Sequence, residues 1–272
     1  MNSNMIEINT VSLFKNKDSG WSETPDSFHN RAFLFGDGLF ETMVFANGKL
    51  RFGEFHIERL IEGCRVLHLD FSSLCSIEIL EKVLVGKFGI ELTLRVRWNV
   101  YREGVGKYTP ESEGLNESLQ IQVFRSSPRI KEKAFFLDTV TVPKTFWSHC
   151  KTLNALTYVM ANLEKMKNSM DEVILCNSDG YVSEAGSSNI FWIKDGTFFT
   201  PSLNCSCIAG IGRRLIIEKL KASSKSITEG KFLTKDVLEA NFIFTSNVTG
   251  VSFIKEIEGK FFQTEHDFDL DF

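Results

Sequence analysis

The sequence has no basic run: its 31 lysines and arginines are interspersed with 35 aspartates and glutamates, for a formal net charge of −4. Nucleic acids and anionic membranes bind through clustered positive charge, so neither partner has electrostatic support. No apolar run approaches the roughly 20 residues that cross a bilayer. Cysteine is sparse and unpatterned. The six, Cys64, Cys75, Cys150, Cys176, Cys205 and Cys207, are scattered; Cys205 and Cys207 would make half a metal site, but no histidine or second cysteine pair stands beside them, and no metal is expected. The N-terminal MNSNMIEINTVSLFKNK lacks a cationic head, an apolar core and a small-residue cleavage site, which with free thiols predicts a cytoplasmic protein. His29, His56, His68, His149 and His266 are dispersed, with no Ser-His-Asp order, nucleophile elbow or Gly-Lys-Ser/Thr phosphate loop. Hydrolase and metalloenzyme readings weaken accordingly. A small-molecule or protein partner remains.

What is present is a mixed pattern of strands and helices, with no repeat or low-complexity tract. RAFLFGDGLFETMVFANGKLRF reads as two apolar-rich runs broken at Asn47-Gly48, a hairpin signal. Helical spacing follows from His56 through Leu60, Ile61, Cys64 and Leu67, and again through SIEILEKVLVGKFG. LTLRVRWNVY and SLQIQVF read as strands around the glycine-bearing REGVGKYTPESEG. The polar RSSPRIKEK, residues 125–133, predicts a linker between an N-terminal domain, 1–124, and a C-terminal domain, 134–272. Beyond it the strands FFLDTVTV, EVILC, YVSEA, NIFWIK, TFFTP and NFIFTSNV accompany helices at IGRRLIIEKLKA and TKDVLEA. In HCKTLNALTYVMANLEK and the Met166 just beyond it, Leu153, Leu156, Met160, Leu163 and Met166 recur at helical steps, predicting a packed helix that starts near residues 152–154 with Lys151 at its entrance.

Several residues have two readings on pattern alone. Lys151 is either a solvated surface lysine or an amine with a task. Glu184, inside YVSEAGSSNIF, is either a solvated strand-end residue or buried beside a cation. The small residues Ala185, Gly186, Ser187 and Ser188 after it leave room for a ligand near the backbone. Gly210 and Gly212 either punctuate a helix or open its N-terminus as a phosphate seat. Arg59 is a helix-surface ion-pair partner or a phosphate fork. An amine, an acid, a cation and a glycine-marked helix start are the groups that hold pyridoxal phosphate.

Six segments, RAFLFGDGLFET, HIERL, KTLNALTYVMA, DEVILCNSDGYVSEAGSSNIF, AGIGRR and FTSNVTGV, give the chain its resemblance over nearly its whole length to the class IV aminotransferases of the pyridoxal phosphate enzymes. That family includes branched-chain and D-amino acid aminotransferases and aminodeoxychorismate lyase. The resemblance implies an α+β fold of two mixed domains (fold type IV), pyridoxal 5'-phosphate as cofactor and a homodimer, with most of the cofactor site on the C-terminal domain. It makes Lys151 the Schiff-base lysine and Glu184 the partner of the pyridine nitrogen. It places Ser187 in the cofactor site and the phosphate on Arg59, on the backbone of Ile211 and Gly212, and on Asn247. Family aminotransferases usually carry Thr where Gly212 and Asn247 stand, so backbone amides have more to do here.

GLFET, YREGVGKYTPES and Asn247 are more similar to aminodeoxychorismate lyases than to branched-chain enzymes. The lyase expectation is conversion of 4-amino-4-deoxychorismate to 4-aminobenzoate and pyruvate in folate biosynthesis, with Lys151 as the catalytic proton carrier. The alternative is an aminotransferase of branched-chain or D-amino acids. Arg102, Lys107 and Tyr108, on a segment following a predicted strand, are either a solvated loop tip or the groups that hold the substrate's two carboxylates.

Overall fold

The computed structural model describes residues 11–15, 20–23, 30–104, 106–267 and 269–270. Residues 1–10, where the sequence predicts no leader, and His29 lie outside the described residues. The chain divides into two compact units: Met1–Arg125 with Lys151–Asn154, and Ser126–Cys150 with Ala155–Phe272. The changeover at Arg125 falls at the start of the expected linker. The last residues of that stretch are already strand, since pairing begins at Ile130.

In the first unit, β1 (Val11–Lys15), β2 (Gly38–Ala46), β3 (Lys49–Leu50), β4 (Leu94–Arg102) and β5 (Leu115–Val123) form a five-stranded antiparallel sheet in the order β1-β5-β4-β2-β3. The Asn47-Gly48 hairpin forms as expected: φ is 53° at Asn47 and 76° at Gly48, the left-handed pair that a tight two-residue turn requires. Strand alternation sends Leu39, Met43, Phe45, Val96, Trp98, Leu119 and Ile121 into the core. Helices α2 (Gly53–Val66) and α3 (Ile77–Phe88) contribute Leu60, Cys64, Leu80 and Leu84 to the buried set. Phe40, Thr42, Arg95, Arg97, Asn99, Ser118 and Gln120 occupy the opposite face of the sheet and are half-buried.

RAFLFGDGLFET does not continue as one strand run. Asn30 caps a short helix α1 (Arg31–Phe35) by accepting from the Phe33 amide at 2.9 Å, and Gly36, with φ of 63°, ends it before β2 begins. Local capping chemistry, which apolar content does not report, decides the element here.

The second unit holds a nine-stranded mixed sheet. Its strands are β6 (Ile130–Val142), β7 (Glu172–Asn177), β8 (Val182–Ala185), β9 (Asn189–Lys194), β10 (Thr197–Pro201), β11 (Ile227–Gly230), β12 (Phe242–Asn247), β13 (Gly250–Ile257) and β14 (Lys260–Phe261). The order is β11-β10-β9-β12-β13-β6-β7-β8, with β14 on β13. Both faces of the sheet are covered. Along β9, Ile190 and Trp192 enter one core with Ile243, Ile254 and Val237 of α6 (Thr234–Leu238), while Phe191 and Ile193 enter another with Phe244 and with Ile216 and Leu220 of α5 (Ile211–Ala222). This explains why NIFWIK is apolar without alternation.

The helix after Lys151 departs from expectation twice. α4 spans Leu156–Lys167, so Lys151 is not at its entrance. The apolar stripe expected to pack also faces outward: Leu156, Met160, Leu163 and Met166 are exposed, as is Val159 beside them, Leu153 is half-buried ahead of the helix, and Ala161 and Tyr158 pack on β6 and β7 instead.

Candidate active site

In the first unit, β3 pairs with β2 only at Phe45 and Ala46, which leaves the N-terminal half of that strand's edge open. The segment Lys151–Asn154 fills it. Thr152 bridges Leu39 in antiparallel fashion, the Phe40 amide donates to the Lys151 carbonyl at 2.9 Å, and the Leu153 amide donates to the Gly38 carbonyl at 2.9 Å. Lys151 is therefore held on extended backbone, with its Nζ 4.4 Å from the centroid of the Phe40 ring. The Arg97 guanidinium lies 3.6 Å from the same centroid, and its Nε donates to Asn99 Oδ1 at 2.8 Å. Arg97 has no carboxylate partner among the described residues. Burial, reinforced by neighbouring Arg95, pulls its pKa down to about 10. Pattern reading missed Arg97; its signal was the alternation Arg95, Arg97, Asn99 on one strand face.

Arg59, on α2, forks onto Glu41 of β2: Nε reaches Oε1 at 2.8 Å and Nη2 reaches Oε2, while His56 Nδ1 meets Oε2 at 2.7 Å. Burial alone raises the Glu41 pKa, but Arg59 and His56 outweigh it and bring it down to about 2. His56 Nε2 is buried without a hydrogen-bond partner.

Arg102 is not on a loop tip. It ends β4, buried, with Nε on Asp37 at 3.0 Å and Nη1 and Nη2 on the carbonyls of His68 and Leu67 at 2.9 and 2.6 Å. Its fork is committed to joining β4 to the end of α2, which corrects the expectation that it offers itself to a ligand. Lys107 and Tyr108 are exposed on the connection to β5, and Tyr108 stands 5.7 Å from the Phe35 ring.

In the second unit, Glu184 on β8 is 2% exposed. Its Oε1 accepts from the Tyr158 hydroxyl at 2.6 Å, and the Ile208 amide donates to the carboxylate at 3.2 Å to Oε2 and 3.3 Å to Oε1. The solvated strand-end reading fails. Asn162, one turn beyond Tyr158, donates to the Gly186 carbonyl at 2.9 Å, and the Gly186 amide donates to Val173 O at 2.9 Å and Glu172 Oε1 at 3.3 Å.

The same unit gathers Ser187, Ser188, Asn247 and the start of α5. Asn247 Nδ2 donates to Ser188 Oγ at 3.0 Å and to the Ser187 carbonyl at 3.4 Å, and its Oδ1 accepts from the Thr249 amide at 2.8 Å. Asn189 donates to the Ile208 carbonyl at 2.9 Å and lies so near Gly210 that a Cβ there would sit 2.0 Å from Asn189 Oδ1. α5 begins at Ile211 with Gly210 as its N-cap and no side-chain cap. Its first amides, at Ile211 and Gly212, thus stand at the positive end of the helix dipole without a capping side chain, the donor set that suits a phosphate.

Residues 38–257 match the family model of the class IV amino-transferases. The chain belongs to this family. Its members work with pyridoxal 5'-phosphate, which is the cofactor of this class IV enzyme, and the buried carboxylate and uncapped helix start fit a cationic ring nitrogen and a phosphate. The chain is 25% identical over 253 residues to aminodeoxychorismate lyase of Vibrio harveyi, covering 89% of this chain and 92% of that one. It is 28% identical over 232 residues to D-alanine aminotransferase of Listeria monocytogenes, covering 81% and 78%. Among solved structures, the branched-chain amino acid aminotransferase of Escherichia coli has the same fold, with a TM-score of 0.80 at 18% identity over 93% of this chain and 87% of that one.

Proposed function

We propose that this class IV enzyme converts 4-amino-4-deoxychorismate to 4-aminobenzoate and pyruvate. The observation that carries the reading is that Lys151 and Arg97 both lie against the Phe40 ring: an amine that can serve chemistry and a half-buried cation with no carboxylate partner among the described residues meet one side chain. Such a cation calls for an anionic substrate. The motifs GLFET and YREGVGKYTPES and Asn247 support the lyase over a transaminase, and the Vibrio harveyi lyase stands among the chain's relatives.

The cofactor, when bound, supplies an electron sink for charge developing at the substrate's amine-bearing carbon. Lys151 carries the cofactor, takes the proton from that ring carbon and gives one to the departing enolpyruvyl methylene. The ring becomes aromatic as pyruvate leaves, so no oxidant and no amino acceptor is consumed. Glu184 holds its charge against the ring nitrogen. Arg59, Asn247 and the Ile211 and Gly212 amides hold the phosphate, and Ser187 lines the cofactor site. Arg97 takes one substrate carboxylate in place of Arg102, and Lys107 and Tyr108 serve the substrate's outer end. The working form is a cytoplasmic homodimer in folate biosynthesis; the exposed apolar face of α4 is the surface that a second copy covers.

A second reading, a D- or branched-chain amino acid aminotransferase, is favoured by the 28% identity to D-alanine aminotransferase. The purified enzyme, given aminodeoxychorismate and no 2-oxo acid, is expected to release equal amounts of 4-aminobenzoate and pyruvate. Arg97→Ala should raise KM about tenfold while leaving the cofactor absorbance intact. Product that forms only with an amino acceptor, or transamination of amino acids without any aromatic product, selects the second reading.

A further inference from the structure

Helix α4 reaches the segment around Glu184 with two side chains at positions i and i+4, Tyr158 to the Glu184 carboxylate and Asn162 to the Gly186 carbonyl. Tyr158 leaves the buried side of the helix, where with Ala161 it packs on β6 and β7. We infer that Tyr158 is a positioning residue for Glu184, holding the carboxylate plane so that Oε2, the oxygen Tyr158 does not engage, is aimed for the cofactor's ring nitrogen. The inference rests on the proposed role of Glu184 and goes beyond it, because it gives Tyr158 a role exerted through that carboxylate.

The physical case has three parts. A carboxylate on a short strand can rotate about its last torsion, and that torsion is broad unless hydrogen bonds fix it. The 2.6 Å phenol bond to Oε1 and the Ile208 amide fix it from two sides. Burial, and then the Glu184 charge, push the phenol's pKa far above its ordinary value, so it stays a donor at every working pH and never presents a second negative charge to the carboxylate. A tyrosine kept only for packing needs no hydroxyl in this place.

The test compares wild type, Tyr158→Phe, Glu184→Gln and the double variant, each titrated with pyridoxal 5'-phosphate, reading the dissociation constant and the pH profile of the bound cofactor's absorbance. Tyr158→Phe keeps the ring and is expected to raise the dissociation constant about tenfold, the scale of lost outer-shell support, and to displace the absorbance profile toward that of Glu184→Gln. In the Glu184→Gln background the same change is expected to add nothing. Replacing Tyr158 with 4-aminophenylalanine, which keeps an N–H donor at the place of the hydroxyl, is expected to restore the wild-type profile, and it decides the matter if the Phe variant does not fold. Tyr158→Phe equal to wild type in both readouts, a 4-aminophenylalanine protein no better than Glu184→Gln, or losses that simply multiply in the double variant would overturn the inference. A wild-type protein that takes up no cofactor removes the role of Glu184 and this inference together, and that result is visible before any variant is made.

Discussion

Glu41 shows how one buried carboxylate sets a local arrangement. It is fully enclosed, yet Arg59 and His56 keep its pKa near 2, below the ordinary 4.5. A carboxyl whose folded pKa is depressed adds stability above its unfolded pKa and loses it as pH falls through the folded value. Between pH 4.5 and 2 the enzyme should therefore lose on the order of 3 kcal/mol from this group. Glu41→Gln is expected to cost about 3 kcal/mol at neutral pH and to flatten that acid limb, as read by denaturant unfolding across pH. An unchanged limb would show that another group sets acid stability. Arg102 teaches the complementary lesson: beside a glycine-bearing segment it looks like a ligand group, but Asp37 and two carbonyls use its donors, and sequence alone does not reveal where a guanidinium's hydrogen bonds go.

At the scale of elements, the start of α5 depends on a close approach. Gly210→Ala would place a Cβ against Asn189 Oδ1, so the Asn189 amide must leave the Ile208 carbonyl or the helix start must shift. We expect a loss of about 1–3 kcal/mol in thermal unfolding together with weaker uptake of pyridoxal 5'-phosphate, whereas wild-type affinity would detach this helix start from the phosphate. The Asn47-Gly48 hairpin, α2, α3, α5 and most strands of both units were legible because turn chemistry and apolar period agreed. α1 was not, since five residues between a cap and a left-handed glycine carry too little period to distinguish helix from strand. In α4 the period was right and the face wrong, because an apolar stripe shows that something covers it without naming what. Lys151 and Glu184 stood out through motif context, whereas Arg97 and Tyr158 emerge only from register and contact.

At the scale of the whole molecule, the chain leaves its second unit for Lys151–Asn154 and then returns. A four-residue excursion is placed by backbone hydrogen bonds to β2, which explains why a linear division of the sequence at residues 125–133 does not describe it. The apolar face of α4 gives the dimer proposal a direct check: Leu163→Lys, at an exposed position, is expected to shift the mass measured by light scattering from dimer toward monomer while leaving thermal unfolding of the monomer near wild type. A dimer of unchanged affinity would place the interface elsewhere. The central claim is that Lys151 is the amine that carries the cofactor. Borohydride reduction of the enzyme loaded with pyridoxal 5'-phosphate, followed by peptide mapping, tests it most directly. The label is predicted on the peptide containing Lys151 and is predicted to vanish in Lys151→Ala, whereas a label on another lysine with Lys151 unmodified would contradict the account.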